Sequence, residues 1–207
     1  MISPVLLINH LRFLCEQVPN FTAELNSLDG QLGDGDLGAT LGKCAECTQT
    51  ALKDIAPDAS LSDIFRVAAM ACMQASGSSF GTLLAQAFIT ASQFSVGKNT
   101  LSRVDTARLM HQIVDRLAER GGAALGDKTV LDALHALALT LEQPPQPDDL
   151  RQSLTAALAT FRQQPNRIGR ARMFADRSVG LDDPGMVALL RLTETLNIPE
   201  TGEKSWQ

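Results

Sequence analysis

The chain has 207 residues, 44% of them hydrophobic and 20% charged, with a net charge of −5 and an isoelectric point near 5.2. That is ample apolar material for one domain over residues 1–207, and it excludes a disordered chain. It leaves no basic surplus for a nucleic-acid backbone or an anionic lipid surface, so neither nucleic acid nor membrane is an expected partner.

The amino terminus, Met1-Ile2-Ser3-Pro4, carries neither a positive n-region nor a cleavage site, and no apolar run approaches about eighteen residues. A cytoplasmic protein is expected. Leu7, Leu11, Leu14 and Val18 form the stripe of a first helix that closes at Pro19-Asn20. A short helical piece from Thr22 leads into an acidic, glycine-rich turn. A helix from Gly38 runs through Leu41, Ala45 and Thr48 towards Leu52, and another from Ser60 turns Ile64, Ala68 and Ala71 inward. Ser76-Gly77-Ser78-Ser79 breaks the pattern, which Phe80, Leu83, Leu84, Ala87, Phe88 and Ala91 resume. Met110, Ile113, Val114 and Leu117 mark a helix that stops at Gly121-Gly122, and Gly126-Asp127-Lys128-Thr129 opens the next, with Leu131, Leu134, Ala138 and Leu141 inward. Leu150, Leu154, Leu158 and Phe161 define a further helix, and Leu189, Leu192 and Leu196 the last.

No segment alternates in the manner of a strand, so the expected fold is all-α: an antiparallel bundle of about eight principal helices joined mostly by short connections. Gln163 to Asp182 is the exception, a long aperiodic stretch carrying Arg167, Arg170, Arg172 and Arg177. Such loops are usually functional, and this one is expected to close over something anionic.

Cys15, Cys44, Cys47 and Cys72 are too few and scattered for a disulfide framework and are read as reduced. The C-x-x-C pair Cys44 and Cys47 is better explained as part of a packed helix face than as a metal or redox site, since no second pair completes it. His10, His111 and His135 fall within helical stripes and are read as structural.

The acidic turn, Leu28 to Gly38, sets Asp29, Asp34 and Asp36 among four glycines. Its G-x-G-x-x-G lacks the preceding strand that a dinucleotide site needs, and an EF-hand reading from Asp34 would put its bidentate acid at Ala45. Magnesium, which takes a few carboxylates together with water and phosphate oxygens, suits the set better. The competing interpretation is a solvated acidic turn in which Asp36 simply caps the helix that follows. Three other glycine-marked connections, Ala75 to Ser79, Gly121 to Thr129 and Gly169 to Gly185, also precede helices, and in an antiparallel bundle alternate connections share one end. Helix starts carry unpaired N–H groups and partial positive charge, which suits phosphate. No P-loop is present, because Gly38 to Cys44 is one residue short of its spacing and ends in cysteine.

Leu28-Asp-Gly-Gln-Leu-Gly-Asp-Gly-Asp-Leu-Gly38, Ala75-Ser-Gly-Ser-Ser-Phe-Gly-Thr82, Gly126-Asp-Lys-Thr129 with Asp132, and Gly169-Arg-Ala171 followed by Asp176-Arg-Ser-Val-Gly180 and Asp183-Pro-Gly185 occur in one order across nearly the whole chain. In that arrangement the sequence resembles the ADP-binding L subunit of dihydroxyacetone kinase, the DhaL or Dak2 domain family. The resemblance implies an eight-helix antiparallel up-and-down barrel with ADP or ATP at one rim. It implies that Asp29, Asp34 and Asp36 hold two magnesium ions, and that Leu37, Gly38, Ala39, Thr40, Ala75 and Ser76 line the nucleotide. Gly121 and Val130 would lie near the base or ribose, Arg170 near phosphate, and Asp183, Pro184 and Gly185 at the rim turn.

By the same resemblance the chain is a separate L-type subunit. The ketose is then held on a K-type subunit through a histidine, a phosphohistidine M-type subunit can serve as phosphate donor, and a homodimer is a further expectation. Two departures bear on substrate: Leu37 stands where many relatives carry histidine, and Arg172-Met173 where a small residue and an aromatic are common. Two alternatives follow, an ATP-dependent subunit for another ketose such as a tetrulose, and a non-catalytic ADP-sensing module.

Overall fold

Ser3 opens the first helix, α1 (Pro4–Gln17): its hydroxyl accepts the Leu6 N–H, and Pro4 takes the first helical position, where a missing N–H costs nothing. The computed structural model describes residues 1–75, 77–146, 148–169, 172–173 and 175–196. Its further helices are α2 (Thr22–Asp29), α3 (Leu37–Ala51), α4 (Leu61–Ala75), α5 (Ser79–Phe94), α6 (Arg103–Gly121), α7 (Val130–Glu142), α8 (Asp149–Arg162), a single turn α9 (Ala175–Ser178), and α10 (Pro184–Leu196). Among the described residues no strand forms, so the all-α expectation holds. The nearest thing to a ladder is an antiparallel bridge between Ile2 and Leu101. No helix among the described residues is long and apolar enough to cross a membrane.

Reciprocal capping boxes start two of the helices, Ser102 with Asp105 for α6 and Thr129 with Asp132 for α7. Gly122 ends α6 in the left-handed conformation, with φ 64°. The principal packed pairs run from α1 to α3, α3 to α4, and on through α5, α6, α7 and α8 to α10, which packs back against α1.

The core falls into two large clusters. Val18, Phe21, Leu25, Leu37, Leu41, Leu137, Leu154, Leu158 and Met186 fill one. Leu7, Leu11, Leu52, Leu61, Ile64, Phe65, Leu101 and Leu109 fill the other, where Phe65 and Phe88 stack with ring centroids 6.5 Å apart. Cys44 and Cys72 lie buried with Ala85 in a third, smaller cluster, and all four cysteines are free thiols.

Two elements differ from expectation. The last helix begins directly after Asp183, well before its leucine stripe, and Met186, Val187, Ala188 and Leu190 are all buried. It is enclosed by α1, α2, α7 and α8, and its first turns, Pro184 to Leu190, carry no polar side chain, so no stripe can be read there. Within the aperiodic stretch, Ala175–Ser178 forms one helical turn, too short to show a period.

Candidate functional site

The acidic turn is held by α2 and read out by α3. Asp29, the last residue of α2, accepts the backbone N–H groups of Asp36 at 2.9 Å and Leu37 at 3.3 Å through Oδ2, while its carbonyl accepts those of Leu32 and Gly33. Asn26, one turn earlier, accepts the Ala39 N–H at 3.0 Å through Oδ1. Two side chains of α2 therefore cap α3. The competing interpretation, with Asp36 as the cap, is not what forms: Asp36 occupies the N-cap position but makes no side-chain capping bond, because Asp29 and Asn26 already take the donors.

The three carboxylates converge. One oxygen from each of Asp29, Asp34 and Asp36 lies within 4.8 Å of the others, and Asp34 and Asp36 are exposed. At an effective dielectric of 20, such spacing costs roughly 3 kcal/mol of repulsion per ionised pair, which a divalent cation would relieve. The donor set fits magnesium, being all hard oxygen with room for water or phosphate. Asp29 Oδ1 faces Gly33, where a Cβ would stand 2.6 Å away, so the missing side chain leaves that oxygen accessible.

Around this turn the starts of α3, α5, α7 and α10 meet. Thr40 Oγ1 donates to Ser78 Oγ at 3.2 Å, and Ser78 caps α5 by accepting the Gly81 N–H. A Cβ on Gly185 would lie 3.3 Å from Val130 Cβ and 3.7 Å from Phe80 Cε2, so α10, α7 and α5 begin side by side. Each start directs a partial positive charge of about half a unit towards this rim. Of the residues expected here, Leu37, Gly38, Ala39, Thr40, Val130, Asp183, Pro184 and Gly185 belong to these starts, and Ala75 is the last residue of α4, just before the turn into α5. Gly121 ends α6 at an exposed position with nothing within 4 Å of its would-be Cβ. Ser76 and Arg170 lie outside the described residues.

A second network braces the start of α7. Asp132 accepts the N–H groups of Gly126 at 2.6 Å and Thr129 at 2.8 Å. Lys128, in the left-handed region with φ 63°, is 1% exposed, and its ammonium donates to the carbonyls of Gln164 and Ser178 at 2.8 Å and Arg162 at 3.4 Å. Burial holds its pKa below the usual lysine value. Asn166, 2% exposed, donates to the Lys128 carbonyl and to Asp183 Oδ2. Asp183 caps α10 by accepting the Met186 N–H at 3.0 Å, and desolvation pushes its carboxyl up to about 6 despite that bond and the Asn166 amide.

Sequence reasoning assigned no role to Asn26, Lys128 or Asn166 individually. Nothing in their spacing marks them, and buried lysine is rare enough that a solvated one is the ordinary expectation. The asparagine three residues ahead of the first aspartate is the one local hint, as a residue suited to capping.

Residues 31–197 match the family model described as DAK2 domain. The chain belongs to the DAK2 domain family. Among relatives of this DAK2 chain is the PTS-dependent dihydroxyacetone kinase, ADP-binding subunit DhaL, of Lactococcus lactis subsp. lactis, 31% identical over 182 residues that cover 87% of this chain and 90% of that one. Another is the D-erythrulose kinase of Mycolicibacterium smegmatis, 31% identical over 196 residues, covering 88% of this chain and 33% of that one. The crystal structure of the dihydroxyacetone kinase from C. freundii in complex with AMP-PNP and Mg2+ matches with a TM-score of 0.73 at 22% identity, over 94% of this chain and 34% of that one. That likeness establishes the shared helical fold. This chain thus spans about a third of the longer kinases it resembles. The relatives named here are dihydroxyacetone and erythrulose kinases, which are phosphotransferases.

Proposed function

We propose that this DAK2 chain is the nucleotide- and magnesium-binding subunit of a kinase that phosphorylates dihydroxyacetone or a related short ketose held on a separate K-type subunit. One observation carries the reading: three carboxylates converge within 4.8 Å at the same rim where four helices begin. It is supported by alignment along 90% of a relative named as an ADP-binding subunit.

In this reading Asp29, Asp34 and Asp36 hold two magnesium ions, whose charge offsets that of the nucleotide phosphates. Leu37, Gly38, Ala39, Thr40, Ala75 and Ser76 line the nucleotide. Val130 and Gly121 lie towards the base and ribose, Arg170 towards phosphate, and Asp183, Pro184 and Gly185 form the rim turn. The chain's own contribution is positioning: the α3 start presents backbone N–H groups, and Asp29 and Asn26 keep the acidic turn in register with it. Residues 1–207 act as one domain in a closed helical barrel, in the cytoplasm, with a phosphohistidine M-type subunit as donor and a homodimer as the expected self-assembly.

The test is reconstitution. The purified chain, a K-type partner and magnesium are mixed with dihydroxyacetone and either ATP or a phosphorylated M-type protein, and ketose phosphate is measured. No product with any pairing would favour an ADP-sensing module over a kinase. A second reading, an ATP-dependent subunit for a tetrulose, has the likeness to D-erythrulose kinase on its side. Turnover of erythrulose in preference to dihydroxyacetone, with ADP released each cycle, would select it.

A further inference from the structure

The segment between α8 and α10 is clipped at its neck. Arg162 makes a two-pronged ion pair with Asp182 at 2.8 and 2.7 Å, and the Arg162 carbonyl accepts the Gly180 N–H at 2.7 Å. Into this neck comes one side chain from elsewhere in the fold. The Lys128 ammonium bonds Arg162 and Gln164 on the outgoing limb and Ser178 on the returning limb. Asn166 repeats the stitch in the other direction: its backbone N–H donates to Ser178 Oγ at 2.8 Å, and its amide reaches the Lys128 carbonyl and the Asp183 carboxylate. Lys128 immediately precedes the Thr129 cap of α7, and Asp183 is the cap of α10.

We infer that Lys128 is a positioning residue for the nucleoside end of the bound nucleotide, fixing the wall that carries Val130 against the wall formed by Asp183 to Gly185. The inference rests on the nucleotide reading above. The geometry behind it is specific. A buried ammonium satisfied by three carbonyls is costly to build, since it must lose its water, and a lysine at φ 63° adds backbone strain that glycine would avoid. An apolar plug would fill the same space at less cost, whereas a cation with three donors fixes the direction of each carbonyl. Through Asn166, Lys128 is linked to Asp183 and so to the two starts that Gly185 and Val130 set in contact, while the acidic turn has its own supports in Asn26 and Asp29. The two ends of the site are thus separately braced.

That separation provides the test. Lys128→Met in the full chain should weaken magnesium-dependent ADP binding about tenfold, the scale of losing hydrogen bonds to a charged group, while changing magnesium-dependent binding of inorganic pyrophosphate less than twofold. Trypsin should cut faster after the arginines of the 163–182 segment in the variant, which itself lacks the site after position 128, with cleavage at the remaining sites unchanged. Asn166→Ala should move the same readouts in the same direction by about threefold, and it carries the test should Lys128→Met not fold. Equal losses for ADP and pyrophosphate, or no loss for either, would overturn the assignment. A wild-type chain that binds neither ligand would instead overturn the nucleotide reading beneath it. The trypsin result then decides the tether alone, and unaltered cleavage would end it.

Discussion

Asp29 holds the start of α3 from outside that helix, its Oδ2 accepting the Leu37 N–H at 3.3 Å as well as that of Asp36 at 2.9 Å. The same side chain therefore shapes the turn with one oxygen, while the other faces Gly33. Asp34 lies exposed in the turn itself. Asp34→Asn should abolish magnesium-dependent ADP retention with stability within about 0.5 kcal/mol of wild type, whereas Asp29→Ala should also cost about 1–2 kcal/mol by leaving N–H groups unpaired. Urea unfolding beside nucleotide retention on a desalting column distinguishes the two, and equal stabilities would count against the capping role.

Gly38 and Gly42 share α3 but not its surroundings. A Cβ on Gly38 would stand 2.2 Å from the Thr22 carbonyl oxygen and 2.8 Å from Asn26 Oδ1, whereas Gly42 has nothing within 4 Å. Gly38→Ala must push α2 away from α3 and should cost about 2–3 kcal/mol, more if the Asn26 cap breaks. Gly42→Ala should stabilise by about 0.5–1 kcal/mol through helix propensity. Chemical denaturation of both variants tests the contact, and a harmless Gly38→Ala would mean α2 and α3 are less closely apposed.

Asp183 gives stability a pH dependence. Its carboxyl sits near 3.8 when solvated and is pushed up to about 6 in the fold, so the folded state binds its proton more tightly than the unfolded chain. The contribution is fully present below pH 4 and fades as pH rises through 6. Allowing for the side chain's partial exposure, the loss should be about 2 kcal/mol. Asp183→Asn should flatten that slope between pH 4 and 6.5 relative to wild type in parallel urea titrations. A parallel pair of curves would remove the desolvation argument.

The thiols should sort by environment. Cys44 and Cys72 are buried, and burial together with the neighbouring Glu16 pushes the Cys15 thiol up to about 11. Cys47 instead lines an open groove of about 910 Å³ between α3 and α4, beside Met70 and Ala75. At pH 8 an alkylating reagent should modify Cys47 first and leave the other three largely untouched until denaturant is added. Peptide mass spectrometry reads this directly, and early labelling of Cys44 would contradict the packing of its helix face.

Much of this was legible in the sequence because helices announce themselves by period. The stripes of Leu7, Leu11 and Leu14, or of Leu150, Leu154 and Leu158, state which side is buried before any neighbour is known. The acidic turn was legible for a different reason, since three aspartates among glycines have few apolar uses. What remained hidden depends on partners distant in the chain. Lys128 reaches Ser178 fifty positions away, and Asn26 caps a helix that begins after the turn, so neither leaves a periodic trace. The last helix hid its extent because its first turns, Pro184 to Leu190, carry no polar side chain, so the polar half of the pattern is missing there.

The bridge between Ile2 and Leu101 fixes where the amino end emerges. Leu101 follows the far end of α5, whose 16 residues span about 24 Å from the rim. A fluorophore or surface tether coupled to Met1 would therefore sit at the opposite pole from the aspartates. An immobilised sample would face its acidic mouth outward, free to meet a protein in flow.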